Sequence, residues 1–363
     1  MKCWTRGVCE ANGIEQHPRA NPANYRGAGL LAALIGLGTP VIGQAQRYSV
    51  TDLGTLGGGT SKGYGINASG QVTGEAVTVG GAFHAFLYTA GSGMMDVGTL
   101  GGGSSTGYAI NNASGQVTGA GVTANGTLHA FLYTSGNGMI DLGTLGGGTS
   151  KGYGINASGQ VTGEAVTAGG VFHAFVYTSG SGMTDIGTLG GSSSTGYAIN
   201  SSGQVTGEGV IANGTLHAFL YTPGSRMTDI GTLGGGTSNG YGINASGQVA
   251  GQAVTAGGVF HAFIYTPGSG MTDLGTLGGG SSTGYAINAN GQVTGVAATA
   301  NGTLHGFLYS NHVMRDLNSL IDPALAAHVI LDSGKAINDD AWIIANGIDS
   351  RTGKTHAYLL SKP

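Results

Sequence analysis

The chain has 363 residues, 40% of them hydrophobic and 8% charged, with 75 glycines and a formal net charge of −4. Length and apolar content suffice for a large core, and the glycines are not spaced every third residue, which excludes a collagen helix. β-Branched and aromatic residues stand between the glycines, so ordered, turn-rich β-structure fits the composition better than disorder.

Residues 1–45 form a separate regime. Lys2, Arg6, Arg19 and Arg26 precede an apolar run at 29–43, which ends in Gly43-Gln44-Ala45. A basic region, a short apolar core and small residues before a cleavage point are the parts of a secretory signal, so export with cleavage near Ala45 is expected. The run is about 15 residues and includes Pro40, short of the roughly 20 needed for a membrane span. Both cysteines, Cys3 and Cys9, lie in this leader, which leaves residues 46–363 without thiol or disulfide chemistry. That part carries nine basic and fifteen acidic residues, a net −6. A mildly acidic surface without a basic cluster argues against nucleic acid as a partner.

From residue 46 onward one unit recurs. The DxGTL motif begins at Asp52, Asp96, Asp141, Asp185, Asp229 and Asp273, with a degenerate DLNSL at Asp316, at intervals of 43–45 residues. HAF, or its variants HGF and HAY, begins at His84, His129, His173, His217, His261, His305 and His356. A fixed period of this size marks a repeat architecture. Within a unit, GYGIN (63–67) places Tyr64 and Ile66 on one face, Ala68-Ser69-Gly70 is turn chemistry, and residues 71–77 return. HAFLYT (84–89) and MMDVGTL (94–100) complete four short strands, the signature of one propeller blade. Val72-Thr73-Gly74 is expected at the crowded centre and HAFLYT farther out.

The last unit has no fourth strand after its third, at 356–360, while 48–56 (YSVTDLGTL) is a fourth strand with no blade before it. The fold class expected is therefore all-β: one propeller domain over 46–363, with seven four-stranded antiparallel blades. The N-terminal strand completes the last blade, because closure removes exposed strand edges.

The HAF-x-Y segments, the IN-x-x-GQV-x-G hairpins and the DLGTLGG crossings resemble the extracellular HAF repeat family of bacteria, over about residues 48–360. The resemblance implies an exported β-repeat protein, often surface-associated, and no settled activity. The carboxy-terminal sorting tail of some relatives has no counterpart in Ser361-Lys362-Pro363.

The seventh unit, 316–361, diverges. Its crossing includes DPALAAH (322–328), read as one helical turn begun by Pro323, and its hairpin reads Asp339-Asp340-Ala341-Trp342. Asp322, Asp332, Asp339, Asp340 and Asp349 concentrate there.

The seven repeat histidines are read as structural, pairing with a recurrent Asp or a Thr hydroxyl, since ligands held one per blade do not converge on a metal. The repeat aspartates are read as turn caps. No metal or cofactor is expected, calcium at the aspartates being the rival reading. Glu75, Glu164 and Glu208 share one position with Ala120, Gln252, Val296 and Asn346, and would gather a cation if they faced the channel. No phosphate loop or nucleophile elbow is present.

The expected function is an exported, non-catalytic binding or scaffolding module, periplasmic or extracellular and monomeric. Its partner would be a surface polysaccharide or a protein, docked on one rim where the GSGM and GEAVTxGG loops lie. The alternatives are a polysaccharide hydrolase or lyase built on the seventh blade, with Asp339, Asp340 and Asp349 as candidates, and a purely structural repeat protein. Carbohydrate stacking sites are not expected, because the Tyr and Phe residues are tied to strands.

Overall fold

A computed structural model describes residues 47–362. They form seven four-stranded antiparallel sheets, each a meander in chain order. In the first blade the strands are Gly57–Ile66, Val72–Thr78, Phe83–Thr89 and Gly93–Asp96. The seventh sheet is built from Val329–Ile337, Ile343–Asp349 and Lys354–Ser361, and Ser49–Asp52 pairs antiparallel with the last of these. The ring is a closed seven-bladed β-propeller, as the strand surplus at one end and deficit at the other require. The expected secretory leader lies outside the described residues. Among those residues no helix is long and apolar enough to cross a membrane.

The first strand of each blade is innermost, since these strands neighbour one another around the ring from Gly57–Ile66 to Val329–Ile337. This corrects the placement of Val72-Thr73-Gly74 at the centre; that strand is second. The inner strand bulges between Gly63 and Gly65. The bulge brings the Lys62 carbonyl so near Gly74 that a Cβ there would lie 1.9 Å from the oxygen. Small residues on the second strand thus reflect the approach of the bulged backbone rather than the channel.

The cores lie between blades. Ala85, Leu87 and Val97 of the first blade pack with Ile110, Val117 and Phe131 of the second. Phe86, Phe131, Phe175, Phe219, Phe263 and Phe307 are fully buried, one per blade, each contributing about 1.5–3 kcal/mol. In the closing blade Tyr358 holds that position, and Tyr48 and Leu53 seal it on either side. Because both faces of every blade are covered, neither face needs charge.

The seventh-blade crossing contains the expected helical turn, Pro323–Ala326, with Asp322 capping it through the Ala324 N–H at 2.7 Å. At the next hairpin, Ala341 takes the left-handed φ of +60° that glycine takes in the other blades, as Gly70 does at +75°. The Tyr48 hydroxyl donates to the Ala341 carbonyl at 3.0 Å, so the closing segment itself holds this strained turn.

Candidate functional site

Each repeat histidine meets an aspartate of its own blade. His84 Nδ1 lies 2.7 Å from Asp96 Oδ2, and the pairs recur at His129–Asp141, His173–Asp185, His217–Asp229, His261–Asp273 and His305–Asp316. His356 pairs with Asp52 at 2.8 Å. The other oxygen of each aspartate accepts a backbone N–H two residues on, as Asp96 does from Gly98 at 2.8 Å. The carboxylate therefore caps the turn and orients the imidazole. Among the described residues no three His, Cys, Asp or Glu side chains gather into a metal-ligating group.

The seventh-blade aspartates do not form one site. Asp339 accepts the Ala289 N–H at 2.9 Å, tying the seventh blade to the sixth. Asp339 and Asp340 both line a shallow hollow of about 330 Å³ with Asn311 and Lys362. Asp349 is at the other end of Ile343–Asp349, about 20 Å along the strand. Hydrogen bonds from Arg351 pull its carboxyl down to about 2.

The docking rim also needs correction. Successive turns of an antiparallel meander fall at opposite ends, so the GSG turn at 91–93 and the VGG turn at 79–81 lie on opposite rims. We call the end where inner strands finish, at Ile66, the upper rim. On the lower rim Phe83, Phe172 and Phe260 are 38–42% exposed, so aromatic surface is more available than the strand pattern predicts.

The channel carries the most developed geometry. Toward the upper rim, the Asn67 side-chain amide donates to the Asn111 carbonyl at 3.2 Å. Equivalent bonds make six of the seven blade-to-blade steps, ending with Asn338 back to Asn67. This belt and the isoleucines from Ile66 to Ile337 line a cavity of about 250 Å³. Below the isoleucines is a second cavity, of about 200 Å³, lined by Tyr64, Tyr108, Tyr153, Tyr197, Tyr241 and Tyr285, with Lys335 in the seventh place.

Neighbouring tyrosine rings are 5.1–5.8 Å apart at their centroids and inclined by 48–55°. A sevenfold step is about 51°, so the ring planes run nearly parallel to the propeller axis. Such spacing and tilt suit the aromatic quadrupole. The Lys335 Nζ sits 4.0 Å from the Tyr285 centroid, in cation–π range. Burial lowers the lysine's affinity for its proton, an effect opposed by the Asp332 charge.

Glu75, Glu164 and Glu208 stand behind this collar. They accept from Tyr64, Tyr153 and Tyr197 respectively, each at 3.1 Å. Each also reaches the next blade: Glu75 to Thr106, Glu164 to Thr195, Glu208 to Asn239. Lys151 pairs with Glu164 at 3.0 Å. Burial pushes the Glu208 carboxyl up, against the pull of Tyr197 and Asn239. The glutamates are committed to phenols and neighbouring blades and do not converge as a cation cage.

The collar is not evident from strand patterning, in which each tyrosine is one more alternating apolar position. The signal was present: six copies read Gly-Tyr-Gly/Ala-Ile where the seventh reads Gly334-Lys335-Ala336-Ile337.

No protein-family model and no curated protein matches the sequence. Among solved structures, the β-propeller domain of the trilobed protease from Pyrococcus furiosus aligns with a TM-score of 0.51 and 7% identity, over 83% of this chain and 95% of that one. TolB from Acinetobacter baumannii aligns at 0.46 and 11% identity, over 77% of this chain and 59% of TolB. The BP39L lectin from Burkholderia pseudomallei aligns at 0.43 and 10%, over 86% and 98%. The likeness to the trilobed-protease propeller is one of fold. The trilobed-protease propeller is described as an open velcro, whereas this ring is closed.

Proposed function

We propose that this protein is an exported, non-catalytic binding module of the HAF repeat kind, working in the periplasm or outside the cell. Its ligand enters the tyrosine-lined mouth of the channel. The observation that carries the reading is the single break in the collar. A ring of repeated residues needs no charge for its own packing, and a half-buried ammonium there is a cost unless something uses it. Residues 1–45, with the parts of a secretory signal, support export. The separation of Asp339 and Asp340 from Asp349 weighs against the hydrolase or lyase alternative, because acid–base chemistry needs its groups around one reacting bond.

The test is binding of the full chain to a panel of bacterial and plant polysaccharides, with and without calcium, while reducing-end release is followed in the same wells. Saturable binding without release is the expected result. Release of reducing ends overturns the non-catalytic reading, and no binding to any member overturns a polysaccharide as the ligand and leaves a protein as the partner.

A further inference from the structure

We infer that the tyrosine-lined cup binds one carboxylated sugar unit, a hexuronate, with its carboxylate on Lys335 and its ring among the phenols. This rests on the binding-module reading and names its ligand.

Among the described residues Lys335 has no ion pair within 4.0 Å and no hydrogen bond. Among the described residues no buried side-chain nitrogen or oxygen lacks a partner, so an ammonium without one is open to the cup rather than sealed away. It has three N–H donors to offer and no acceptor. A carboxylate is the ligand group that takes them best, since hydrogen bonds between ionised partners are the strong ones.

The charges around Lys335 set the orientation. Lys62, on the first-blade side, also acts on it as a like charge, while Asp332 opposes both and is held by the Ser333 hydroxyl at 2.7 Å. The remaining acids are Glu75, shared with Lys62 at 3.8 Å, and Glu164 and Glu208 in the third and fourth blades. Glu164 is neutralised by Lys151, and burial favours the protonated form of Glu208. Among the described residues, the cation that lines the cup without an ion pair is therefore Lys335, where the seventh blade meets the first.

The phenols supply the rest. Tyr64, Tyr153 and Tyr197 spend their protons on glutamates and keep oxygen lone pairs as acceptors. Tyr241 receives the Gln252 amide at 3.3 Å and keeps its proton to donate. Opposite Tyr108 and Tyr285 stand Ala120 and Val296 in the place of a glutamate. Mixed donors and acceptors beside aromatic planes match sugar hydroxyls, each both donor and acceptor, and the apolar face of a pyranose. At about 200 Å³ the cup is smaller than the roughly 300 Å³ of a drug-sized pocket, which suits one ring, such as the end unit of a polysaccharide, rather than several.

The experiment is isothermal titration of the full chain with galacturonate, galactose and acetate, for wild type, Lys335→Met and Lys335→Arg, with melting curves confirming that each variant folds. Galacturonate should bind one to one. Its affinity should fall about tenfold or more in Lys335→Met and stay within about threefold in Lys335→Arg, as expected for one charge-assisted contact. Galactose and acetate should each bind at least about tenfold more weakly than galacturonate. Acetate equal to galacturonate overturns the sugar assignment, and galacturonate affinity unchanged in Lys335→Met overturns the site. Polysaccharide binding without galacturonate binding overturns this inference and leaves the binding module standing.

Discussion

His356 and Asp52 are 304 residues apart and form the same pair, at 2.8 Å, that His84 and Asp96 form across twelve. The ring closes by repeating, between the two ends of the chain, the contact that every other blade makes within itself. Ser49–Asp52 also completes the backbone ladder on Lys354–Ser361, and the Leu53 N–H donates to the Ala357 carbonyl at 3.0 Å.

Removal of residues 47–56 should open the ring. Tyr48 and Leu53 are each 5% exposed, and losing both costs more than about 3 kcal/mol before the lost ladder is counted. The melting midpoint should fall sharply. An unchanged midpoint refutes the closure. Asp52→Asn is a far milder change: the pair is half exposed, so about 1 kcal/mol or less is expected in denaturant titration, matching Asp96→Asn.

Gly163→Ala should be among the most damaging single-methyl additions. The new Cβ would lie 1.8 Å from the Lys151 carbonyl oxygen, which no rotamer relieves because the obstacle is backbone. We expect a loss of about 3 kcal/mol or more, or failure to fold. Gly126→Ala, in a lower-rim turn at φ +87° with open space around it, should cost only about 1–2 kcal/mol. Equal stabilities for the two variants would remove the bulge as the reason for the buried glycine.

Stability should fall in alkali. Burial pushes the Tyr48 and Tyr358 phenols up to about 12, and Tyr64, Tyr153 and Tyr197 still further, by burial first and then by their glutamates. The folded state therefore holds these protons more tightly than the unfolded chain, whose tyrosines titrate near about 10. Their contribution is complete below about pH 10 and is lost as pH rises through 12. Phenolate absorbance of these residues should appear together with unfolding. Full phenolate formation near the ordinary value in an intact fold contradicts this.

Lys335→Met should raise the melting midpoint at neutral pH. Burial lowers the lysine's proton affinity, so the folded protein carries its charge at a cost, most of which a methionine stem avoids. The cost is greatest at low pH, where the ammonium is fully charged, and shrinks as the amine deprotonates. The gain should therefore diminish in alkali. A lowered midpoint at pH 7 would mean that the cation–π contact with Tyr285 outweighs the desolvation.

Blade number, repeat boundaries and ring closure were legible in the residues alone, because each depends on local chemistry repeated at a period. Asp52 and its equivalents cap a turn two residues away, Gly70 and its equivalents make the next turn, and a surplus strand at one end meets a deficit at the other. For the histidines the residues alone left an Asp or a Thr hydroxyl as partner, and the pairing of adjacent strands brings the Asp, as His84 meets Asp96.

The tertiary structure decided which strand faces the axis and what gathers there. Tyr64 and Tyr285 belong to strands that never pair, and no local preference brings their rings into one collar. Their meeting depends on the inner strands bulging at Gly63–Gly65 and packing side by side, a long-range outcome of closing seven twisted sheets on one another. Lys335 acquires meaning only inside that ring, where six phenols surround it and burial makes its charge costly.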